Sequence, residues 1–293
     1  MILVTGATGM TGQFVVQELN RRNVPMRVLV REESVEKVTG WDADVAIGDL
    51  ADFGSLHRAM NGVSGVAHVA CTFTDIAIDV AAMGVLLDSW QMGPFIFVSS
   101  LDVYGLTEGN PVTEAHPLSE RYGDYGRGKV ICERMLAAKA TVAGRTDFAM
   151  LRAPHIIGPH PKGKRFLRKL VQDVPITLPG GDAAEWSQYR DAWIDVRDLA
   201  RVIVEALEKP TGGPLNVLSD HFIWHDLYAE LIRLTDSNSQ IVHKPFIEMS
   251  EEERKTLQTL AQSWDFDNTK LCQMLGFSPR FTLQQTLQDM VES

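Results

Sequence analysis

Residues 2–12 read ILVTGATGMTG, and this stretch indicates the fold class. The first four are apolar or β-branched and predict a buried strand, and three glycines follow, spaced three residues apart, where a helical pattern begins. A strand, a glycine-rich turn and a helix leave bare backbone N–H groups beside the positive end of the helix, which together bind a pyrophosphate. The stretch therefore predicts a dinucleotide site formed by Gly6, Thr8, Gly9, Met10, Thr11 and Gly12.

Short apolar runs alternate with stretches of helical period through the first half of the chain. The strands predicted are residues 2–5, 27–30, 45–47, 65–69, 95–99 and 148–151, and the helices are 12–22, 55–60, 80–90 and 124–143. Nearly continuous apolar strands are typical of a parallel sheet with helices on both faces. We predict an α/β fold, a Rossmann-type doubly wound parallel sheet with a smaller, partly discontinuous C-terminal substrate lobe.

The pattern changes after Pro154, where proline and glycine interrupt the chain repeatedly. Residues 195–208 then predict another sheet-covering helix and 215–218 a late strand. Ligands of open α/β sheets bind at the carboxyl ends of the strands, so a second lobe is expected there. We therefore assign residues 1–155 and 193–218 to the dinucleotide-binding domain, and 156–192 and 219–293 to the substrate lobe.

Composition limits the possible partners of this 293-residue chain. Its 38 acidic and 28 basic residues give a formal net charge of −10, which disfavours binding to nucleic acid or to an anionic membrane surface. No apolar run is long enough to span a bilayer. The three cysteines, Cys71, Cys132 and Cys272, are far apart and odd in number, which predicts reduced thiols in a cytoplasmic protein and no metal site. A small-molecule substrate is the expected partner.

Arg31 follows the second predicted strand, where an NAD site usually has an acid about 20 residues past the glycines. A guanidinium cannot accept a hydrogen bond from a ribose 2′-hydroxyl, but it can bind a 2′-phosphate. Arg31 thus predicts NADP, with NAD as the less favoured cofactor. The alternative is a solvated arginine paired with Glu32 or Glu33.

Tyr125 and Lys129 are four residues apart on a predicted helix, and Ser99 and Ser100 end a predicted strand. Residues i and i+4 share a helical face, so the ammonium can lie near the phenol. A nearby cation, together with an oxidised nicotinamide, lowers the phenol pKa and makes the tyrosine a usable acid or base. The alternative is a solvated helix face.

Taken together, these motifs resemble the extended short-chain dehydrogenase/reductase superfamily, of the NAD-dependent epimerase/dehydratase type. The motifs are residues 5–12, 48–50, 98–100, 103–105, 125–129, 151–152, 158–159, 196–200 and 275–280. The resemblance implies that Ser100 binds the substrate oxygen, Tyr125 exchanges the proton, and Lys129 holds the nicotinamide ribose and lowers the phenol pKa. It also implies a cofactor site that includes Asp49, Leu50, Ala70, Ser99, Ala153, Pro154, His155 and Ile156, and a homodimer formed through helices 80–90 and 124–143.

Departures from the nucleotide-sugar enzymes guide the functional prediction. His155 replaces a common asparagine, and Asp191 stands where those enzymes have a diphosphate-binding arginine, with Arg190 one residue away. With Arg31, these departures favour an NADP-dependent carbonyl reductase or alcohol dehydrogenase. A nucleotide-sugar epimerase or dehydratase is the first alternative, and a non-catalytic NADP-binding regulator is the second.

Four further features are open to a functional or a structural interpretation. Asp102 is near the position of a proton donor in some sugar dehydratases, although Leu101 replaces its usual acidic neighbour. A basic stretch could attract an anionic substrate, three aromatic residues could wall a pocket, and two histidines could share a metal, but solvation and packing are the simpler explanations. The basic stretch consists of Lys162, Lys164, Arg165, Arg168 and Lys169. The aromatic residues are Trp186, Tyr189 and Trp193, and the histidines are His221 and His225.

Overall fold

The computed structural model describes residues 1–107, 111–121 and 123–293, with all their side chains except those of residues 162, 163 and 165. The strands are β1 (Ile2–Thr5), β2 (Met26–Val30), β3 (Asp44–Ile47), β4 (Gly65–His68), β5 (Phe95–Ser100), β6 (Phe148–Ala153), β7 (His155–Ile157), β8 (Ile176–Pro179), β9 (Arg190–Asp195), β10 (Gly213–Asn216), β11 (Asp220–Ile223) and β12 (Ile241–Lys244). The helices are α1 (Met10–Arg21), α2 (Phe53–Met60), α3 (Ile76–Ser89), α4 (Gly123–Val142), α5 (Ala183–Trp186), α6 (Val196–Glu208), α7 (Trp224–Thr235), α8 (Glu251–Leu257), α9 (Thr269–Leu275) and α10 (Leu283–Glu292). In the part of the chain that the structure describes, no helix has the length and apolar character needed to cross a membrane.

The central sheet is parallel throughout and has seven strands in the order β3-β2-β1-β4-β5-β6-β10. The order of the strands reverses between β1 and β4, which opens a crevice at their carboxyl ends. This architecture confirms the predicted doubly wound α/β fold. The predicted helix 80–90 is longer than expected, because the Asp75 side chain accepts hydrogen bonds from the N–H groups of Ala77 and Ile78 and so caps α3 before Ile76.

Two apolar layers cover the faces of this sheet. One packs the sheet against α1 and α6 through residues such as Val15, Leu19 and Ile203, and the other packs it against α2, α3 and α4 through residues such as Met83 and Leu136. Burial of large aliphatic side chains on both faces contributes roughly 1.5–3 kcal/mol for each side chain. The carboxyl edge of the sheet is thereby held at a fixed position between the two layers.

The C-terminal lobe contains two small sheets that the sequence did not predict. Strands β7, β9 and β11 form one, and β8 and β12 form the other. The lobe has its own apolar cluster, which includes Phe166, Trp193, Phe222 and Leu231. The lobe stands beside the carboxyl edge because β7 follows β6 directly; the exact division into domains stays a prediction.

Candidate active site

A cleft of about 960 Å³ lies at the carboxyl edge of the central sheet. Strands β1, β2, β4, β5 and β6 end at this edge, so the residues that follow them lie close together. Every residue that the sequence assigns to catalysis or to cofactor binding lines the cleft. The structure therefore brings the whole predicted set together, while the role of each residue stays a prediction.

Residues 6–12, the turn after β1 and the start of α1, form a glycine cradle in which Gly6 and Gly12 leave no room for a side chain. Gly6 has a φ of +71°, and a Cβ on it would lie 2.9 Å from the backbone of Ala70. A Cβ on Gly12 would lie 2.1 Å from the carbonyl oxygen of Gly6. Gly9 caps α1 without a side-chain hydrogen bond, and no acidic residue occupies the first turn. The cradle suits a pyrophosphate, because the positive helix end is uncompensated and the backbone is open to close approach.

Arg31 and Asp49 lie at one end of the cleft, beyond β2 and β3. The Arg31 guanidinium is 62% exposed, and its Nε lies 3.1 Å from Oε1 of the similarly exposed Glu33. The Asp49 carboxylate accepts a hydrogen bond of 2.8 Å from the N–H of Ala51. Because an exposed ion pair is weak, a phosphate can displace the Glu33 carboxylate from the Arg31 guanidinium.

Ser100, Tyr125 and Lys129 lie together further along the cleft, at the end of β5 and the start of α4. The Lys129 ammonium donates a hydrogen bond of 2.8 Å to the carbonyl of Val98 and lies 5.6 Å from the centre of the Tyr125 ring. Helix α4 can approach the site closely because a Cβ on Gly126 would lie 2.8 Å from the carbonyl oxygen of Asp102. The glycines between the tyrosine and the lysine thus serve the packing of the helix.

The environment of Tyr125 acts on its pKa in two directions. Burial raises the pKa of the phenol, whereas the positive charge of Lys129 and a hydrogen bond with Ser100 lower it, and the balance is upward. Lys129 therefore has the predicted effect, but burial outweighs it. Burial also disfavours the Lys129 ammonium, but nearby groups, Tyr125 first, leave the pKa of Lys129 raised, so it is charged at neutral pH.

A buried polar network lies beneath Ser100, Tyr125 and Lys129. The hydroxyl of Ser99 donates to Glu133 at 2.6 Å, and Glu133 forms an ion pair of 2.7 Å with Arg152. Arg152 also donates to the hydroxyl of Tyr104, which donates to the side chain of Asn216. Ser99 lines the cleft and is bonded to this network, and Tyr104 lies within the network beneath the site.

The opposite end of the cleft, here called the substrate end, is formed by Asp102, His155, Asp191, Trp264 and Phe266. Nε2 of His155 lies 3.0 Å from Oδ2 of Asp191. Asp102 lines the cleft and is exposed to solvent, but the protein atoms around its carboxyl still raise the pKa of that group by desolvation, while the charge of His155 opposes the effect. The rings of Trp264 and Phe266 stack with their centres 5.5 Å apart.

Several sequence candidates lie outside the cleft. Trp186, Tyr189 and Trp193 do not line it, and of the basic stretch neither Lys164, which donates to Ser293, nor the exposed Arg168 and Lys169 reaches it. The side chains of Lys162 and Arg165 lie outside the described residues. His221 accepts a hydrogen bond from the N–H of Phe266, and His225 bonds to His243, so this pair is not a shared metal site. Nor do the described residues contain a cluster of three or more His, Cys, Asp or Glu side chains that could hold a metal.

Comparison with known proteins identifies the family. Residues 2–217 match the model of the NAD dependent epimerase/dehydratase family. The chain belongs to that family, and it is an NAD(P)-dependent enzyme of the short-chain dehydrogenase/reductase type.

Individual relatives carry out different reactions. The chain is 27% identical to a UDP-glucose 4-epimerase of Bacillus subtilis, over 71% of this chain and 73% of that protein. It is 24% identical to a UDP-N-acetyl-alpha-D-glucosaminuronate decarboxylase of Bacillus cytotoxicus, over 99% of this chain and 96% of that one. The crystal structure of a UDP-glucose-4-epimerase from Stenotrophomonas maltophila, with bound NAD and formylated UDP-arabinopyranose, has a TM-score of 0.80 at 20% identity, covering 99% of this chain and 96% of that one.

These relatives support the nucleotide-sugar alternative better than the reductase that the sequence analysis favours. The chain spans only 55% of the length of some other epimerases that it matches.

Proposed function

We propose that this chain transfers a hydride between a nicotinamide dinucleotide and a carbon that bears a hydroxyl or carbonyl group in a small-molecule substrate. The observation that carries this proposal is the position of Ser100, Tyr125 and Lys129 in the same cleft as the glycine cradle. A dinucleotide held by the cradle would occupy the cleft that these three side chains also line. The family to which the chain belongs supports this chemistry.

The residues have distinct tasks in this proposal. The nicotinamide dinucleotide, when bound, supplies the hydride acceptor or donor. The cradle N–H groups bind its pyrophosphate, Ser100 donates a hydrogen bond to the substrate oxygen, and Tyr125 takes the proton from that oxygen or gives it back. Lys129 favours the ionised phenol through its positive charge, opposing the effect of burial. The network of Ser99, Glu133 and Arg152 holds the end of β5 in place.

The first candidate reaction is that of a nucleotide-sugar epimerase or dehydratase. The family and the named relatives support it, since UDP-glucose 4-epimerases recur among them. Transient oxidation of a sugar hydroxyl needs the acid/base and hydride chemistry that Tyr125 and the cofactor would provide.

The second candidate is a carbonyl reductase or alcohol dehydrogenase, and the charge of the substrate end favours it. Asp102 and Asp191 line this end, whereas the Arg190 guanidinium is paired at 2.9 Å with Asp265. Among the described residues of the cleft, Lys129 is the one lysine or arginine near this end. Two carboxyl groups with no arginine facing them, and with His155 beside only one of them, Asp191, disfavour a diphosphate, because like charges repel at short range.

One pair of assays separates these candidates. The purified protein is incubated with NAD or NADP and a panel of UDP- and dTDP-sugars, and the products are identified by NMR. Oxidation of NADPH or NADH is followed in parallel with a panel of carbonyl compounds. A changed sugar without net consumption of cofactor supports the epimerase or dehydratase, whereas stoichiometric oxidation of the cofactor supports the reductase.

Tyr125→Phe tests the proposed role of the phenol in either reaction. Loss of the phenolic hydroxyl is expected to lower turnover by roughly 10²- to 10⁴-fold, the usual contribution of a positioned acid or base. The affinity for the dinucleotide, measured by fluorescence titration, should stay within about 2-fold, because the pyrophosphate cradle is untouched. Unchanged turnover in this variant would contradict the proposed role of Tyr125.

A further inference from the structure

Phe73 lies in the loop between β4 and α3, and its backbone is strained. Its φ is +64°, a left-handed conformation that bulky residues rarely adopt and that persists only where the surroundings fix it. The loop is fixed just before Phe73: the Cys71 sulphur accepts a hydrogen bond from the Phe73 N–H, and Asp79, on α3, accepts two from Thr72. The strain is therefore held in place by specific contacts.

This conformation sets the Phe73 ring against the ring of Tyr125. The two rings are nearly parallel, at 12°, with their centres 5.5 Å apart. Phe73 nevertheless remains 70% exposed, so its burial alone gives little reason for the strained backbone. The strained conformation of the loop thus serves to hold the Phe73 ring against the Tyr125 ring.

The stacked pair is also part of the wall of two cavities. Phe73 and Tyr125 line both the large cleft and a second cavity of about 20 Å³, whose other walls include Asp79, Lys129 and Cys132. A space of that size holds about one water molecule and offers it polar partners. Loss of the Phe73 ring would join this cavity to the cleft beside the phenol.

We propose that Phe73 is a positioning residue for Tyr125: the Phe73 ring fixes the orientation of the phenol and limits the access of solvent to it from the side cavity. This inference rests on the proposed proton transfer by Tyr125. Offset or parallel aromatic contacts restrain a neighbouring ring without any covalent or charged link. Phe73 is thus expected to affect turnover more than cofactor binding.

The first test needs no substrate. The absorbance of ionised tyrosine is titrated between pH 8 and 11 in the intact protein and in Phe73→Ala, each measured against its own Tyr125→Phe counterpart so that the difference reports Tyr125 alone. Because burial is the largest cause of the raised pKa of Tyr125, hydration in Phe73→Ala should move the midpoint measurably down, toward the ordinary tyrosine range. Phe73→Trp, which keeps a stacked ring, should restore the original midpoint, and an unchanged midpoint in Phe73→Ala overturns the inference.

The second test uses whichever substrate the assays above identify. Phe73→Ala should lower kcat by about 10- to 100-fold, as small misplacements of a catalytic group do, with little change in the affinity for NADPH or NADH. Phe73→Gly removes the backbone strain as well as the ring and should lose as much; recovery of full kcat in this variant would assign the effect to the backbone and overturn the inference. Phe53→Ala, at a half-exposed phenylalanine outside the cleft, is the matched control.

The two tests separate the inference from the proposed function. If Tyr125→Phe keeps full turnover while Phe73→Ala still shifts the titration of Tyr125, the contact exists but the proton-transfer role fails. If Tyr125→Phe loses turnover while Phe73→Ala retains both the midpoint and kcat, the proposed function stands and the role of Phe73 is refuted.

Discussion

Arg31 is the residue on which the choice of cofactor depends. Its only described ion-pair partner is the exposed Glu33, so a 2′-phosphate can replace that contact at little cost. A charge-assisted hydrogen bond of about 1.5–3 kcal/mol predicts about 10- to 100-fold tighter binding of NADPH than of NADH. Arg31→Asp should reverse this preference in fluorescence titrations, whereas Glu33→Gln should leave it unchanged or increase it. Equal affinities for NADPH and NADH in the unaltered protein would refute the argument. The test can give either result, because the structurally similar epimerase of Stenotrophomonas maltophila has NAD bound.

Residues near a local motif could be predicted, whereas those brought in by long-range pairing could not. Tyr125 and Lys129 follow from their spacing, and the glycine cradle follows from its position after β1. Trp264 and Phe266 reach the cleft through the bonds of the Trp264 N–H to Arg190 and of the Phe266 N–H to His221, and neither contact leaves a local pattern in the sequence. An excess of aromatic residues in residues 264–266 was the one available signal.

At the scale of elements, the turn between β1 and α1 gives the sharpest steric prediction. The Cβ of Gly12→Ala would overlap backbone atoms of Gly6 and Ala7, and backbone cannot move aside as a flexible side chain can. We expect a loss of roughly 1–3 kcal/mol or more in the free energy of unfolding, measured by urea titration, and weaker dinucleotide binding. Gly9→Ala is the control, since its Cβ would meet only the Gly6 carbonyl oxygen, at 3.1 Å, and its effect should be smaller. Equal stability of the two variants would contradict this account of the cradle.

The first six strands of the central sheet were predictable to within two residues because each is a mostly apolar run in a repeated strand-and-helix order. The last strand, β10, lies at Gly213–Asn216 and not at the predicted 215–218, because its first two residues, glycine and proline, carry no strand signal. The lobe strands are short and of mixed character, so they carry little periodicity. Strands β8 and β12, for example, pair in parallel across more than sixty residues of sequence, and β9 pairs with both β7 and β11. Their pairing depends on the tertiary fold, which explains why the sequence predicts a lobe there without its sheets.

At the scale of the whole molecule, the association of two chains is a proposal that follows from the resemblance to the superfamily. Helix α3 is apolar almost throughout, with Asp79 and Asp88 as its only charged residues, and its Ala81 remains partly exposed. We expect a homodimer in sedimentation experiments, and Ala81→Glu should yield the monomer by burying a charge in the interface. Ile247→Glu, at an exposed residue outside both helices, should leave the dimer intact. A monomer at micromolar concentration in the unaltered protein would refute the proposal.

The stability of the whole chain depends on a histidine at the centre of the sheet. His68 is fully buried on β4, with Nδ1 bonded at 2.8 Å to the hydroxyl of Thr5 and its ring stacked on Phe97. The Thr5 oxygen already accepts hydrogen bonds from the N–H groups of Val69 and Ala70, so its proton is directed to His68. Burial, followed by the charge of Lys129, lowers the pKa of His68 to about 3.

This lowered pKa makes the fold sensitive to mild acid. In the unfolded chain this histidine has its ordinary pKa of 6.5. Between pH 6.5 and about pH 3 it is therefore protonated in the unfolded chain but neutral in the folded one. Stability from His68 is fully present above pH 6.5 and falls with decreasing pH, by about 1.4 kcal/mol per unit and so by about 2 kcal/mol between pH 6.5 and pH 5. His68→Gln should flatten the dependence of the unfolding free energy on pH across that window, whatever its effect at pH 7, because glutamine does not titrate. His57→Gln, at an exposed histidine, is the control; an equal slope in the His68 variant and the unaltered protein would show that His68 accepts its proton without unfolding the sheet.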